Sequence, residues 1–245
     1  MKLARLGEGP EIFFSLQGEG KNQGTPSVFV RTSRCNLYCS WCDTPYTWNW
    51  RGSAYVHENT KKFDLAAETV ELDAVAAASW VLRWPCRRLV LTGGEPLLQA
   101  SECVRLIQHL RSVDVKYVVE VETNGTLVPP PELDAIVDQY TVSPKLSNSG
   151  VERSLRLRHE ALEVLARSPK SVFKFVVGDA ADAEQVEQLE AKYEINPDRI
   201  YLMPQGTTPV RLEGLRPSIA TACLARGYRF SDRLHIHLFG NQPGV

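Results

Sequence analysis

A rhythm restricts what this chain can fold into more than any other feature. Short apolar, β-branched runs alternate with stretches of helical spacing about six times, with short links between them. Ser27–Thr32, Arg88–Thr92, Lys116–Val121, Asp138–Val142, Ser171–Val177 and Ile200–Met203 read as strands. Residues 66–83, 97–110, 154–166, 182–192 and 212–225 read as helices. Glu11–Phe14 reads as a short extended entry, and the alternating Arg233–Phe239 as one last strand. Strands separated by helices imply a parallel sheet with right-handed crossovers. An α/β barrel, or part of one, would gather the C-terminal strand ends on a single rim. A doubly wound sheet is the alternative, and it would divide those ends across a switch point. With no repeat, low-complexity tract or long linker, the 245 residues are expected to form a single domain.

The strand ends carry the chemistry. The first leads into RCNLYCSWCD, where Cys35, Cys39 and Cys42 stand at C-x3-C-x2-C spacing. Three thiolates in eight residues converge only if the chain loops around something. A structural zinc site wants four protein ligands, yet no second C-x2-C follows and the next candidate beyond Asp43 is His57. A four-iron cluster fits three thiolates better, because it leaves one iron free to bind a reactant. Zinc and plain buried thiols remain the competing readings.

Later strand ends carry Thr92-Gly93-Gly94-Glu95-Pro96, Glu122-Thr123-Asn124-Gly125, Ser143-Pro144-Lys145 and Met203-Pro204-Gln205-Gly206. Paired glycines let backbone approach a ligand closely, although Gly-Gly before a helix is also an ordinary turn. Ser15-Leu16-Gln17-Gly18-Glu19-Gly20 is a tight polar turn that could face a ligand or merely solvent. Thr44 before Pro45 could cap a turn. Trp48 and Trp50 could cover a cluster or pack beneath a loop. On a strand His235 and His237 would share a face, but no third metal ligand accompanies them.

Composition excludes other classes. Net charge is −1 without a basic run, so nucleic acid is not an expected partner. No apolar run reaches membrane-spanning length, and the N-terminus lacks a signal-peptide pattern, so a cytoplasmic location is expected. Cys86, Cys103 and Cys223 are scattered among apolar residues and read as small core hydrophobes.

The cysteine loop, with aromatic Trp41 before its third cysteine, resembles that of radical S-adenosylmethionine (SAM) enzymes. That resemblance implies a partial (β/α)6-type barrel and a [4Fe-4S] cluster on Cys35, Cys39 and Cys42. The open iron of such a cluster chelates SAM, which is cleaved to a 5′-deoxyadenosyl radical. The combination of SLQGEG, Arg31 four residues before the first cysteine, Cys42-Asp43-Thr44 and TGGEP is more specific. It is similar to the 7-carboxy-7-deazaguanine synthases of queuosine and 7-deazapurine biosynthesis, over nearly the whole chain. These lyases convert 6-carboxy-5,6,7,8-tetrahydropterin to 7-carboxy-7-deazaguanine with loss of ammonia.

The resemblance implies SAM contacts from Trp41, Cys42, Asp43, Gly94, Glu95, Ser143, Pro144, Lys145, Met203, Pro204, Gln205 and Gly206. It implies Mg2+ on Thr44, and substrate contacts from Leu16, Gln17, Gly18, Glu19, Arg31 and Thr92, with His235 preferred near the C-terminus. It further implies an N-terminal substrate-binding segment (1–26), a C-terminal extension (228–245), a flavodoxin-like or ferredoxin-like reductant, and a homodimer. A glycyl-radical-enzyme activase of the same superfamily and a non-catalytic zinc module are the alternatives.

Overall fold

The computed structural model describes all 245 residues. In chain order the strands are β1 (Lys2–Leu6), β2 (Gly9–Pro10), β3 (Ile12–Leu16), β4 (Pro26–Thr32), β5 (Thr69–Glu71), β6 (Arg88–Gly93), β7 (Val118–Thr123), β8 (Gln139–Val142), β9 (Ser171–Val177), β10 (Ile200–Pro204) and β11 (Arg229–Phe230). The helices are α1 (Leu65–Glu68), α2 (Ala74–Val81), α3 (Ala100–Val113), α4 (Pro131–Asp134), α5 (Arg153–Arg156), α6 (His159–Arg167), α7 (Ala180–Tyr193), α8 (Pro209–Arg226) and α9 (Leu234–Phe239).

Strands β4, β6, β7, β8, β9 and β10 lie side by side in chain order, all parallel. A doubly wound sheet reverses its strand order at a switch point. This sheet has no reversal, so every parallel strand delivers its C-terminal end to one rim. Side chains from β4, β6, β7, β8, β9 and β10 line one cavity, so the sheet curls into part of a barrel. The partial α/β barrel expected from the sequence is what the chain forms.

Strand composition explains the layering. All seven residues of β9 (SVFKFVV) are buried, as in a sheet covered on both faces. Outward Leu89, Leu91, Val119, Val121, Tyr140 and Phe173 join one continuous apolar core with Cys103, Leu106, Ile107 and Leu110 of α3. Inward residues at alternate positions are far more polar. Glu120 of β7, fully enclosed, accepts from Arg88 (2.9 Å), Asn22 (2.8 Å) and Thr141 (2.6 Å), which makes a polar floor for the barrel. A buried carboxylate persists only with such partners.

Four expectations need correction. Residues 66–83 are not one helix: Asp64 caps α1, Thr69–Glu71 pairs with β1 as β5, and Asp73 caps α2. The β-branched Thr69-Val70 pair and two Asp N-cap signals interrupt the helical period. The 154–166 helix is split into α5 and α6 around Leu157 and Arg158. Leu97 begins in a short 3-10 turn (Pro96–Gln99) and not in α3, with Pro96 at its first position. Arg233–Phe239 is not a strand: it forms α9, burying Ile236, and only Arg229–Phe230 extends the sheet there. The sequence reading also missed β1, which pairs with β2, β4 and β5.

Candidate active site

A cavity of about 580 Å³ opens at the rim of the barrel. Cys35, Cys39 and Cys42 border it on the loop leaving β4. That loop turns sharply at Arg34, whose φ of +78° lies in the left-handed region. Glycine admits the loop: a Cβ on Gly94 would sit 1.9 Å from the Arg34 carbonyl oxygen. The Glu95 amide instead donates to that oxygen at 2.9 Å. On the far side, Asn124 Nδ2 donates to Asn36 at 2.8 Å and approaches Cys35 Sγ at 3.9 Å. Trp41 Nε1 donates to the Asn148 carbonyl at 2.9 Å. The loop is thus pinned to the ends of β6 and β7 and to the segment after β8.

Burial pushes all three loop thiols up, Cys39 to about 12. Such sulfurs become thiolates only against a positive partner, which iron supplies. The Leu37 amide donates to Cys35 Sγ at 3.4 Å, a contact that favours a thiolate. The donor set therefore fits a cluster held by three cysteines. A structural zinc site would need a fourth protein ligand, and the loop supplies only three cysteines. His57 is no ligand, because its Nε2 lies 2.7 Å from the Cys42 carbonyl oxygen. All six cysteines are free, and Cys103 and Cys223 are buried, as core thiols would be.

Among the residues expected to touch SAM, Trp41, Cys42, Asp43, Gly94, Ser143, Lys145, Met203, Pro204, Gln205 and Gly206 line the cavity. Lys145 Nζ donates to Ser143 Oγ at 2.8 Å and stands 5.7 Å over the Trp41 ring. Pro144 and Glu95 do not line it. Glu95 is fully buried, and its carboxylate is occupied by the Leu97 amide (3.0 Å), the Thr123 hydroxyl (2.9 Å) and the Asn124 amide (2.7 Å). Its task here is to set the Thr123-Asn124 turn that holds the cysteine loop.

The residues expected to touch substrate all border the cavity: Leu16, Gln17, Gly18, Glu19, Arg31, Thr92 and His235. Arg31 Nε donates to buried Glu11 at 2.6 Å, leaving the two terminal nitrogens for a ligand. Tyr46 hydroxyl donates to the same carboxylate at 2.9 Å. Glu122 links two of the expected residues, accepting from Thr92 Oγ1 at 2.6 Å and Gln17 Nε2 at 3.1 Å. Thr44 makes no side-chain capping bond, so the turn-cap reading fails; the residue borders the cavity, with its hydroxyl 3.7 Å from Cys42 Sγ.

His235 and His237 do not share a face, because positions two apart diverge on a helix. His235 faces the cavity and packs against Gly18, where a Cβ would lie 2.0 Å from its Nδ1. His237 turns away to Arg216 and Asp232. Trp48 borders the cavity and also packs on Tyr55 and His57, whereas Trp50 does not reach the cavity. Asn241, Gln242, Pro243 and Val245 complete the wall.

Sequence reasoning missed the charges that tie this site together. Lys174 of β9 is buried and paired with Glu19; Arg233 donates to Glu19 at 2.9 Å and also to Asp43. Burial alone would raise the Glu19 pKa. Lys174, Arg233 and His235 outweigh it and hold the carboxyl well below its usual range. The available signal was a lone charge inside an apolar strand, Lys174 in SVFKFVV, which requires a partner.

Comparison with known proteins agrees with this geometry. Residues 29–153 match the model of the radical SAM superfamily. The 7-carboxy-7-deazaguanine synthase of Pyrobaculum aerophilum is 39% identical over 96% of this chain and 95% of its own length. That of Halobacterium salinarum is 36% identical over 97% of this chain and 94% of its own. The crystal structure of QueE from Escherichia coli superposes with a TM-score of 0.65 at 28% identity, covering 91% of this chain and 92% of that one. The chain belongs to the 7-carboxy-7-deazaguanine synthase family of the radical SAM superfamily.

Proposed function

We propose that this chain converts 6-carboxy-5,6,7,8-tetrahydropterin to 7-carboxy-7-deazaguanine with loss of ammonia, in queuosine and 7-deazapurine biosynthesis. One observation carries the reading: a single cavity is bordered by the three-cysteine loop and by a set of side chains matched to a carboxylated pterin. Its volume of about 580 Å³ suits a cofactor and a small substrate together. A cavity of that size favours the synthase over an activase, which must admit a segment of a partner protein.

When bound, the [4Fe-4S] cluster and SAM supply one-electron cleavage and removal of a substrate hydrogen. The chain's own residues bind, orient and shield. Cys35, Cys39 and Cys42 would hold the cluster, while Asn124 and the Leu37 amide lie beside the Cys35 sulfur. Gly94, Trp41 to Asp43, Ser143, Lys145 and Met203 to Gly206 would face SAM. The terminal nitrogens of Arg31 would take the substrate carboxylate in fork geometry. Gln17, Thr92 and Glu122 would meet the donors and acceptors of the pterin edge, with Glu19 and His235 beside them. Thr44 would share Mg2+ with the substrate carboxylate, since it borders the cavity with a hard oxygen that caps no turn. Residues 1–26 and 228–245 would serve chiefly the substrate side. Family resemblance supports a flavodoxin-like or ferredoxin-like electron donor and a homodimer. No helix is long and apolar enough to cross a membrane.

The test is anaerobic turnover of the reconstituted protein with SAM, a reductant and 6-carboxytetrahydropterin. Wild type should form 7-carboxy-7-deazaguanine; Cys39→Ala should lose iron and turnover, and Cys86→Ala should keep both. Full iron and turnover in Cys39→Ala would overturn the cluster assignment.

A further inference from the structure

Arg233 stands immediately before α9, and its guanidinium is divided among three segments. Nε donates to Glu19 at 2.9 Å, Nη1 donates to the Gly206 carbonyl oxygen at 2.6 Å, and Nη2 donates to the Asp43 carboxylate. Glu19 lies in the turn assigned to substrate. Gly206 ends the segment assigned to SAM. Asp43 follows the third cysteine. All three border the cavity, and the arginine itself is buried.

The arrangement is balanced electrically: two cations, Lys174 and Arg233, alternate with two anions, Glu19 and Asp43. Although both cations border the cavity, each is matched by an anion within this chain of contacts, so neither carries spare charge for the substrate carboxylate. Only a planar fork with donors on three nitrogens can serve three acceptors lying in different directions. A lysine at this position would carry the charge and reach one partner at a time.

We propose that Arg233 is a positioning residue that couples pterin binding to SAM binding. It fastens the substrate turn, the SAM segment and the cysteine loop to one rigid plane, so ordering one of them by its ligand orders the others. The inference rests on the ligand assignments of the proposed function. Such coupling is reciprocal: substrate must tighten SAM by the same factor that SAM tightens substrate.

The experiment uses reconstituted holoenzyme with its cluster kept oxidised, so that SAM is bound but not consumed. Equilibrium dialysis gives the dissociation constant of SAM with and without 6-carboxytetrahydropterin, for wild type, Arg233→Gln and Arg233→Lys. Wild type should bind SAM about tenfold more tightly with substrate present, within the usual range of coupling between sites. In both variants that ratio should fall to below about twofold, the residue of the same coupling scale. A purely structural role would lower iron content and both affinities while leaving the ratio unchanged, and that result overturns the inference. Should Arg233→Gln fail to take up iron, Arg233→Lys, which keeps the charge, decides alone. A wild type that shows no coupling also overturns the inference. A wild type that binds SAM but neither binds nor turns over the pterin overturns the functional reading and the inference together.

Discussion

Gly94→Ala separates two reasons for a glycine at the end of β6. If Gly94 only makes room for SAM, the cofactor-free protein should not notice the added methyl. The geometry says otherwise. The new Cβ would lie 1.9 Å from the Arg34 carbonyl oxygen and 3.0 Å from the Cys35 amide nitrogen. Ordinary contact starts at 3.4 Å, so the carbonyl must retreat by about 1.5 Å (3.4 − 1.9), and it is backbone, not a flexible side-chain tip. Two hydrogen bonds flank the clash, Gly94 N to Thr32 O at 3.0 Å and Glu95 N to Arg34 O at 2.9 Å. Losing both costs about 1–3 kcal/mol, and the overpacking about 1–3 kcal/mol more. The sum, about 2–6 kcal/mol, corresponds at its midpoint to a fall in Tm of roughly 8–16 °C for a chain of this size. Because the displaced backbone carries Cys35, iron uptake should fall as well. Thermal melting of the cofactor-free protein and iron per chain after reconstitution are the assays. A variant with wild-type iron content and a Tm within about 2 °C of wild type, under one kcal/mol on the same scale, would refute the argument.

Thr44→Ala should raise the magnesium concentration needed for half-maximal turnover while leaving iron content intact, and Thr44→Ser should be mild; superimposable magnesium titrations for wild type and Thr44→Ala would remove this ligand. Glu11→Gln leaves the Arg31 guanidinium without its buried counter-ion, and should cost about 3 kcal/mol of stability along with substrate affinity. That cost is at the low end for a broken buried pair because Arg31 is 18% exposed; an unchanged Tm would show the pair to be idle. Glu19 titrates below its ordinary range of 4.5 despite burial, because Lys174, Arg233 and His235 favour its charged form. A depressed folded pKa gives stability that is present above the unfolded value and lost as pH falls through the folded one. The Tm gap between wild type and Glu19→Gln should therefore hold from pH 8 to about 5, begin to shrink as pH falls past about 4.5, and vanish only below the depressed folded pKa; a gap of unchanged size from pH 7 to pH 3 contradicts the assignment.

The sheet was readable because buried parallel strands are nearly continuous apolar runs, and Ser171–Val177 is bounded identically in sequence and structure. The rim of the cavity was readable wherever a motif follows a strand, as at Gly93-Gly94 or at Ser143 and Lys145, which line it. Two kinds of feature were not. Arg233–Phe239 alternates like a strand, yet residues 234–239 coil into a helix that buries Ile236; tertiary context overrides a period read from seven residues. Glu11, Lys174 and Arg233 sit in no motif. Their roles depend on partners 20, 155 and 214 residues away, and nothing local announces which partner a buried charge has found.

The same separations bear on how the enzyme is made. Each parallel strand joins the strand before it in the chain, so the sheet can grow as the chain emerges. Asn124 can pin the cysteine loop once β7 exists. The bonds from Arg233 to Glu19 and Asp43 span 214 and 190 residues and cannot form until Arg233 has been added and folded back. A nascent chain that has not reached Arg233 therefore presents its three thiols in a basin that still lacks one wall, and iron and sulfide have their widest access before residues 233–245 settle.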